Sequence, residues 1–287
     1  MAERLSAKTI LIGLMATPIR HSLSPTMHNE AFAKLSLDFA YLAFEVGNEE
    51  LEDAVKSIRA LGMRGCNVSM PNKQKIIPYL DQLSPAAKLV GAVNTVVNDN
   101  GILTGHITDG TGFMRSLMEA EVDIIGKKMT LMGAGGAATA VCIQAALDGV
   151  KEISIFNRRD EHFENGMRTV AIINEKTTCK ATLFDLEEKE QLHKEVADST
   201  IFVNATGVGM KPFEGESLII DPSLLRPDLI VADVIYKPAK TKLLEMAEAQ
   251  GCKTVNGLGM MLYQGAAASE LWTGQPMPVN HIKDLLF

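Results

Sequence analysis

A strand-like run, Lys128-Met129-Thr130-Leu131-Met132, leads into Gly133-Ala134-Gly135-Gly136, and an alanine-rich helical stretch from Ala137 to Leu147 leaves it. Strand, tight turn and helix with the spacing Gly133-x-Gly135-x-x-Ala138 form the pattern of a dinucleotide-binding unit. Gly133 permits the turn, Gly135 lets a pyrophosphate approach the backbone, and Ala138 lets helix and strand pack closely. Free amides at the helix start then face the anion. Gly133, Ala134, Gly135, Gly136 and Ala137 are the candidate phosphate-binding residues; the plainer reading is a tight turn alone. The position of the motif constrains the chain further, because more than a hundred residues precede it and a nucleotide domain does not use them. A length of 287 residues suits two domains of ordinary size.

The rest of the chain alternates strand and helix signals. In the first block, strands are expected at Ile10 to Ala16, Phe39 to Val46 and Gly65 to Ser69. Helices are expected at Pro25 to Leu35, after Asn48 as N-cap with Leu51, Val55, Ile58 and Leu61 as its buried stripe, and from Pro71 through Ile77. Val93 to Val97 and Ile102 to Ile107 flank Asn98-Asp99-Asn100-Gly101, a hairpin sequence. Beyond a helix at Gly110 to Glu121, strands at Met129 to Gly133, Glu152 to Asn157, Ala181 to Phe184, Ile201 to Asn204 and Leu229 to Val234 alternate with helices, and Lys253 to Val255 is a last candidate. That is the pattern of a parallel sheet covered on both faces.

The expected fold is therefore α/β: an N-terminal α/β domain over residues 1–112, a Rossmann-type doubly wound nucleotide domain over 113–258, and C-terminal helices, 259–287, returning to the first domain. Hinges are expected near Gly110 to Gly112 and Gly257 to Gly259.

A net charge of −7 without a Lys/Arg cluster argues against a nucleic-acid surface. No apolar run approaches the roughly 20 residues that span a bilayer. Met1 to Ile10 lacks a basic segment followed by a signal core, so a cytoplasmic location without membrane association is expected. Cys66, Cys142, Cys179 and Cys252 are scattered, which favours reduced, buried thiols over disulfides or zinc. His21 and His28 stand across a proline and make poor joint ligands, so no metal is expected. A homodimer is compatible with the sequence, which does not fix the oligomeric state.

Three loops of the first block carry polar residues that a core would not hold. His21-Ser22-Leu23-Ser24-Pro25 sets two hydroxyls before a helix, able to hold a carboxylate, or else Ser24 is simply the N-cap and Pro25 the first helical residue. In Asn67-Val68-Ser69-Met70-Pro71-Asn72-Lys73 the lysine is expected one turn into a helix, where its charge opposes the helix dipole. That placement suits a catalytic lysine better than a structural one, although solvated lysine is the commoner fate. Asp109 follows the hairpin at the expected hinge, as a cleft carboxylate or a helix cap. A Lys and an Asp held together make an acid/base pair suited to alcohol oxidation, in which the hydroxyl proton leaves as hydride departs from the same carbon.

These segments, in order and spacing, resemble the shikimate dehydrogenase family. The resemblance rests on Ser22-Leu-Ser-Pro25, Asn67-Val-Ser-Met-Pro-Asn-Lys73, Gly91-Ala-Val-Asn-Thr95, Thr108-Asp-Gly110, Gly133-Ala-Gly-Gly-Ala137, Asn204-Ala-Thr206 and Tyr263-Gln-Gly-Ala266, and it spans nearly the whole chain. It implies reversible, nicotinamide-dependent oxidation of shikimate at the C3 hydroxyl to 3-dehydroshikimate, within aromatic amino-acid biosynthesis. Ser22 and Ser24 would bind the substrate carboxylate. Ser69, Lys73, Asn94, Asp109 and Gln264 would bind ring hydroxyls, with Lys73 and Asp109 as the catalytic pair, and Asn67 and Tyr236 would line the same pocket. The coenzyme side would add Asn157, Arg158, Arg159, Asp160, Thr206, Gly207 and Gly257 to the glycine turn.

The chain departs from the usual biosynthetic pattern at Ser69, where Thr is commoner, at Asn157-Arg158-Arg159-Asp160, where Asn-Arg-Thr is commoner, and at Gly207, where a polar residue is commoner. The first two departures are more like the quinate/shikimate dehydrogenase branch, which also accepts quinate and uses NAD as well as NADP. An acid after the second strand suits the ribose diol of NAD, while arginine suits the 2′-phosphate of NADP. A strictly NADP-dependent biosynthetic enzyme is the nearest alternative, and a non-catalytic shikimate or quinate sensor is the alternative from another class.

Overall fold

The computed structural model describes residues 5–219 and 221–286. Residues 1–4, the start of the segment read above for a leader, and Phe287, the end of the expected last helix, lie outside them. The chain divides into two compact units, Met1–Thr108 with Gln264–Phe287, and Asp109–Tyr263.

The first unit runs β1 (Ile10–Ala16), α1 (Ser24–Lys34), β2 (Phe39–Glu45), α2 (Leu51–Ala60), β3 (Gly65–Val68), a 3-10 turn (Ile77–Tyr79), β4 (Gln82–Leu83), α3 (Pro85–Val90), β5 (Thr95–Asp99) and β6 (Ile102–His106). Its sheet has the order β2-β1-β3-β5-β6-β4. β1 is parallel to β2 and β3, whereas β3–β5 and β5–β6 are antiparallel. The β5–β6 hairpin closes through Asn100 and Gly101, both at positive φ as a two-residue turn requires, with Gly101 N donating to Asn98 Oδ1 at 2.8 Å. Phe32, Tyr41, Ile12, Ala268 and Trp272 form the core of this unit. Trp272 donates its indole N–H to Val96 O at 2.9 Å, so burying the indole leaves no donor unpaired.

The second unit runs α4 (Asp109–Glu119), β7 (Lys128–Met132), α5 (Gly136–Asp148), β8 (Glu152–Asn157), α6 (Phe163–Lys176), β9 (Lys180–Asp185), α7 (Lys189–Ala197), β10 (Ile201–Asn204), β11 (Ile230–Asp233), α8 (Lys242–Ala249) and β12 (Lys253–Val255). α9 (Gly257–Thr273) carries the chain into the segment that completes the first unit, and α10 (Val279–Leu286) packs there on α1. All six strands are parallel, in the order β12-β11-β10-β7-β8-β9. Counted from β7, this is the doubly wound order, whose direction reverses between β7 and β10, and ligands bind outside the strand carboxyl ends at such a reversal. Residues 201–204 of β10 are all buried, as expected of a strand covered on both faces.

Three local expectations are corrected. Asn48 caps nothing: α2 begins at Leu51 behind Glu50, and its acidic first-turn residues are Glu52 and Asp53. Leu61 lies past the helix end and is exposed, leaving Leu51, Val55 and Ile58 as the buried stripe. The segment from Pro71 is a series of turns ending in the 3-10 turn at Ile77–Tyr79. Asn72 is held by two bonds that an α-helix would not make, its side chain donating to Val46 O at 2.8 Å and its N–H to Ser69 O at 2.8 Å. The glycines at the expected hinges stand at helix starts, as the sequence also implies: Gly110 and Gly112 in α4, Gly257 and Gly259 in the first turn of α9.

Candidate active site

In the first unit a polar line connects three of the expected substrate residues, Asn67, Asn94 and Gln264. The Tyr41 hydroxyl donates to Asn67 Oδ1 at 2.7 Å. Asn67 Nδ2 donates to Asn94 O at 3.1 Å and Thr95 Oγ1 at 3.0 Å. Asn94 Nδ2 then donates to Thr108 Oγ1 at 2.9 Å and reaches Gln264 Oε1 at 3.5 Å, while its Oδ1 accepts from Thr108 N at 2.9 Å. Burial pushes the Tyr41 phenol well above its usual range, so it remains a neutral donor. His28 stacks on Tyr41 with centroids 4.5 Å apart, and burial lowers its pKa to about 3, so it is neutral.

Ser22 and Ser24 sit at the head of α1, half-buried. The capping reading fails there: α1 has Leu23 at its N-cap with no side-chain cap bond, and Ser22 Oγ instead accepts from Ser24 N at 3.2 Å. Ser69 follows β3, with its N–H donating to Met15 O at 3.1 Å. Lys73 is half-buried among the turns, so the helix-dipole reason for singling it out does not apply. Its backbone carbonyl accepts from Val93 N at 2.8 Å, tying its segment to the one that carries Asn94. Asp109 is the first residue of α4, and Tyr236 is exposed after β11, both in the second unit.

The second unit holds the expected coenzyme residues at its strand carboxyl ends. Gly133 follows β7 at φ +113°, and a Cβ there would stand 2.7 Å from Ala205 O. Gly135, the N-cap of α5, has ordinary φ, and a Cβ on it would meet nothing within 4 Å; the same openness holds at Gly136. The protein itself therefore does not require glycine at 135, whereas a pyrophosphate lying on the backbone at the start of α5 does. Ala134 and Ala137 complete this turn.

After β8, Asn157 Nδ2 donates to Asp160 Oδ1 at 2.9 Å, as does His162 N at 2.9 Å, and Arg158 Nε meets Asp160 Oδ2 at 2.7 Å. The Arg158 bond is the main reason the Asp160 carboxyl lies below the usual range. Arg159 Nε donates to Asp185 Oδ2 at 2.6 Å, and its guanidinium lies 4.9 Å from the Phe163 ring centroid. Thr206 donates from both N and Oγ1 to Asn204 Oδ1, at 3.1 and 2.7 Å. Gly207 is exposed, and Gly257 starts α9 against the Val234 carbonyl.

Sequence reasoning missed Tyr41, Asp185, Asn165 and Asp233. Asn165 donates to Ala134 O at 2.6 Å and Thr139 Oγ1 at 2.9 Å, holding the phosphate turn from α6. Only Thr108, inside a quoted motif, carried a local signal.

A Rossmann sheet with an open glycine cradle at its switch point, accompanied by a second α/β unit that carries a line of polar residues, defines a nucleotide-dependent enzyme of two units. Residues 14–96 match the shikimate dehydrogenase substrate binding domain, and residues 257–287 match the shikimate 5′-dehydrogenase C-terminal domain. The chain is 70% identical, over all of its length and 99% of the relative's, to the shikimate dehydrogenase (NADP(+)) of Listeria monocytogenes serotype 4b. A crystal structure of shikimate 5-dehydrogenase from Listeria monocytogenes, in complex with shikimate and NAD, superposes with a TM-score of 0.98 at 70% identity, covering 100% of this chain and 99% of that one. Quinate dehydrogenase from Corynebacterium glutamicum in complex with NAD gives a TM-score of 0.86 at 30% identity, covering 96% and 98%. The chain belongs to the shikimate dehydrogenase family.

Proposed function

We propose that this protein oxidises the C3 hydroxyl of shikimate to 3-dehydroshikimate, reversibly, with NAD or NADP, and that quinate is a second substrate, oxidised to 3-dehydroquinate. The observation that carries the reading is the open Gly135 cradle in a chain 70% identical from end to end to a shikimate dehydrogenase (NADP(+)). The likeness to a quinate dehydrogenase and the smaller Ser69 in place of threonine support the wider substrate range.

The coenzyme supplies a two-electron hydride acceptor held by Gly133 to Ala137, Asn157 to Asp160, Thr206, Gly207 and Gly257. Ser22 and Ser24 hold the substrate carboxylate, Ser69, Asn94 and Gln264 bind the ring hydroxyls with Lys73 and Asp109, and Asn67 and Tyr236 line the same pocket. Lys73, as the free amine, takes the C3 hydroxyl proton as the C3 hydrogen leaves with its electron pair to the nicotinamide, and Asp109 is the second member of this acid/base pair. In the reverse direction Lys73 returns the proton to the carbonyl oxygen.

Steady-state assay of shikimate and quinate with each coenzyme, followed by the absorbance of reduced nicotinamide, tests this. Turnover of neither acid would overturn the proposal. Lys73→Ala is expected to lower kcat by about 10² to 10⁴ with a smaller change in KM, and near-normal kcat would remove Lys73 from proton transfer.

A further inference from the structure

Asp233 ends β11 with only 1% of its surface exposed, and three segments donate to it. Asn204 Nδ2, at the end of β10, lies 3.2 and 3.1 Å from its two oxygens. Ile235 N donates to Oδ1 at 3.0 Å, and Thr241 Oγ1, the N-cap of α8, donates to Oδ2 at 2.7 Å. A carboxylate accepts and never donates, so it fixes which way the Asn204 amide faces. With Nδ2 committed to Asp233 and to Val208 O at 3.1 Å, Asn204 Oδ1 is left to accept both Thr206 donors.

The loop so held borders the glycine turn. Ala205 N donates to Met132 O at 2.8 Å, and Ala205 O lies where a Cβ on Gly133 would strike it. Gly209, at φ +111°, rests on Thr241 and Ile235, the other two residues that bond Asp233. β7 and β10 are the strands between which the sheet order reverses, so this loop and the Gly133 turn are the two walls of the crevice.

We infer that Asp233 is a positioning residue for coenzyme binding, which through Asn204 holds the 205–209 loop against the Gly133 turn. The inference rests on reading this crevice as the coenzyme site. An asparagine at 233 presents a donor as well as an acceptor, so the Asn204 amide is free to turn over and withdraw its oxygen from Thr206. Burial pushes the Asp233 carboxyl above the usual range, and its hydrogen bonds from Ile235, Thr241 and Asn204 offset this only in part. Those bonds are therefore what make a buried carboxylate tolerable here.

The test measures the Kd for NADP by calorimetry, the KM for shikimate and the Tm in the wild type, in Asp233→Asn, and in the pair Asn204→Asp/Asp233→Asn, which reverses donor and acceptor across the contact, keeps an acceptor facing Thr206 and gives up the bond to Val208 O. Asp233→Asn is expected to raise the NADP Kd about tenfold or more and the shikimate KM less than about threefold, while the pair recovers to within about threefold of wild type. An unchanged Kd in folded Asp233→Asn, or a Kd and shikimate KM that rise together as Tm falls, would overturn the inference. Should Asp233→Asn not fold, the pair decides: an NADP Kd near wild type supports the inference, and a weak Kd or a second failure to fold overturns it by making Asp233 merely structural. Failure of the wild type to bind NADP or NAD would instead sink the coenzyme reading itself.

Discussion

Gly133 abuts Ala205 so closely that a Cβ at 133 would stand 2.7 Å from the Ala205 carbonyl oxygen, at a φ of +113° that disfavours any side chain. Two residues on, Gly135 has neither constraint. One motif therefore contains a glycine that the fold requires and a glycine that the fold does not require.

Substituting each separates the two roles. Gly133→Ala is expected to lose about 1 to 3 kcal/mol of stability from backbone strain and contact. Gly135→Ala should unfold within about 1 kcal/mol of wild type, yet raise the KM for coenzyme severalfold or more. Chemical denaturation and coenzyme titration of both variants measure this, and a Gly135→Ala enzyme with unchanged coenzyme KM would refute the cradle.

For Ser22 and Ser24 the structure removes the capping alternative. Replacing both with alanine deletes up to two hydrogen bonds to a carboxylate, each worth about 1.5 to 3 kcal/mol, so the KM for shikimate should rise at least about tenfold. Because the bonds hold ground and transition states alike, kcat should change less. Stability should fall by less than the roughly 0.5 to 2 kcal/mol that a lost cap costs. A stability loss with unchanged KM would return these serines to a structural role.

Coenzyme choice is less simply divided than the order Arg158-Arg159-Asp160 implies. Both Asp160 oxygens are engaged, Oδ1 by Asn157 and His162 and Oδ2 by Arg158 at 2.7 Å, which leaves one lone pair of Oδ2 for a ribose hydroxyl. Asp160→Ala should therefore raise the KM for NAD without improving NADP, since the arginine loses its brace when the repulsion is removed. Arg158→Ala should reduce kcat/KM for NADP more than for NAD. Arg159, drawn to Asp185 and over Phe163, should matter less. Measuring kcat/KM with both coenzymes in each variant is the check, and an unchanged NADP to NAD ratio throughout would show that this loop does not read the ribose.

The second unit was legible in sequence because its strands are buried on both faces, as in Ile153-Ser-Ile-Phe156 and Ile201-Phe-Val203, and punctuated by helices. The β5–β6 hairpin was legible from Asn98-Asp-Asn-Gly101. The segment 71–79 was not, because its conformation is set by bonds to Val46 and Val93, loop residues distant in sequence, which no local propensity encodes. The same limit hid functional partners. Tyr41 looks like any aromatic in a half-buried strand, and Asp185 and Asp233 look like strand-ending acids, until the sheet sets them beside Arg159 and Asn204. Ser84 could have been read: it caps α3 before Pro85, with Oγ accepting from Ala87 N at 3.2 Å.

The last prediction concerns the buried ion pair below the nucleotide sheet. Lys128 Nζ lies 2.6 Å from Glu195 Oε2, which also accepts from Ser154 Oγ at 2.6 Å, and Glu152 and Asp198 complete the cluster. Burial pushes the Glu195 carboxyl up, but Lys128, Ser154 and Gln191 together outweigh it and hold it below the usual glutamate range. A depressed folded-state pKa contributes stability that is present above the unfolded value, about 4.3, and is lost as pH falls through the folded value. Stability should thus be flat in this respect at neutral pH and decline once the pH drops below about 4 to 5. Lys128→Met leaves Glu195 buried without its cation and is expected to cost about 3 to 5 kcal/mol at neutral pH, whereas Lys128→Met/Glu195→Leu should recover most of that. In Lys128→Met the Glu195 carboxyl should titrate higher, so acidification toward pH ~5 should narrow the gap to wild type rather than widen it. Urea denaturation of wild type and both variants across this range is the measurement; equal stability of Lys128→Met and wild type at neutral pH would show that Ser154 and Gln191 alone suffice to keep the buried carboxylate.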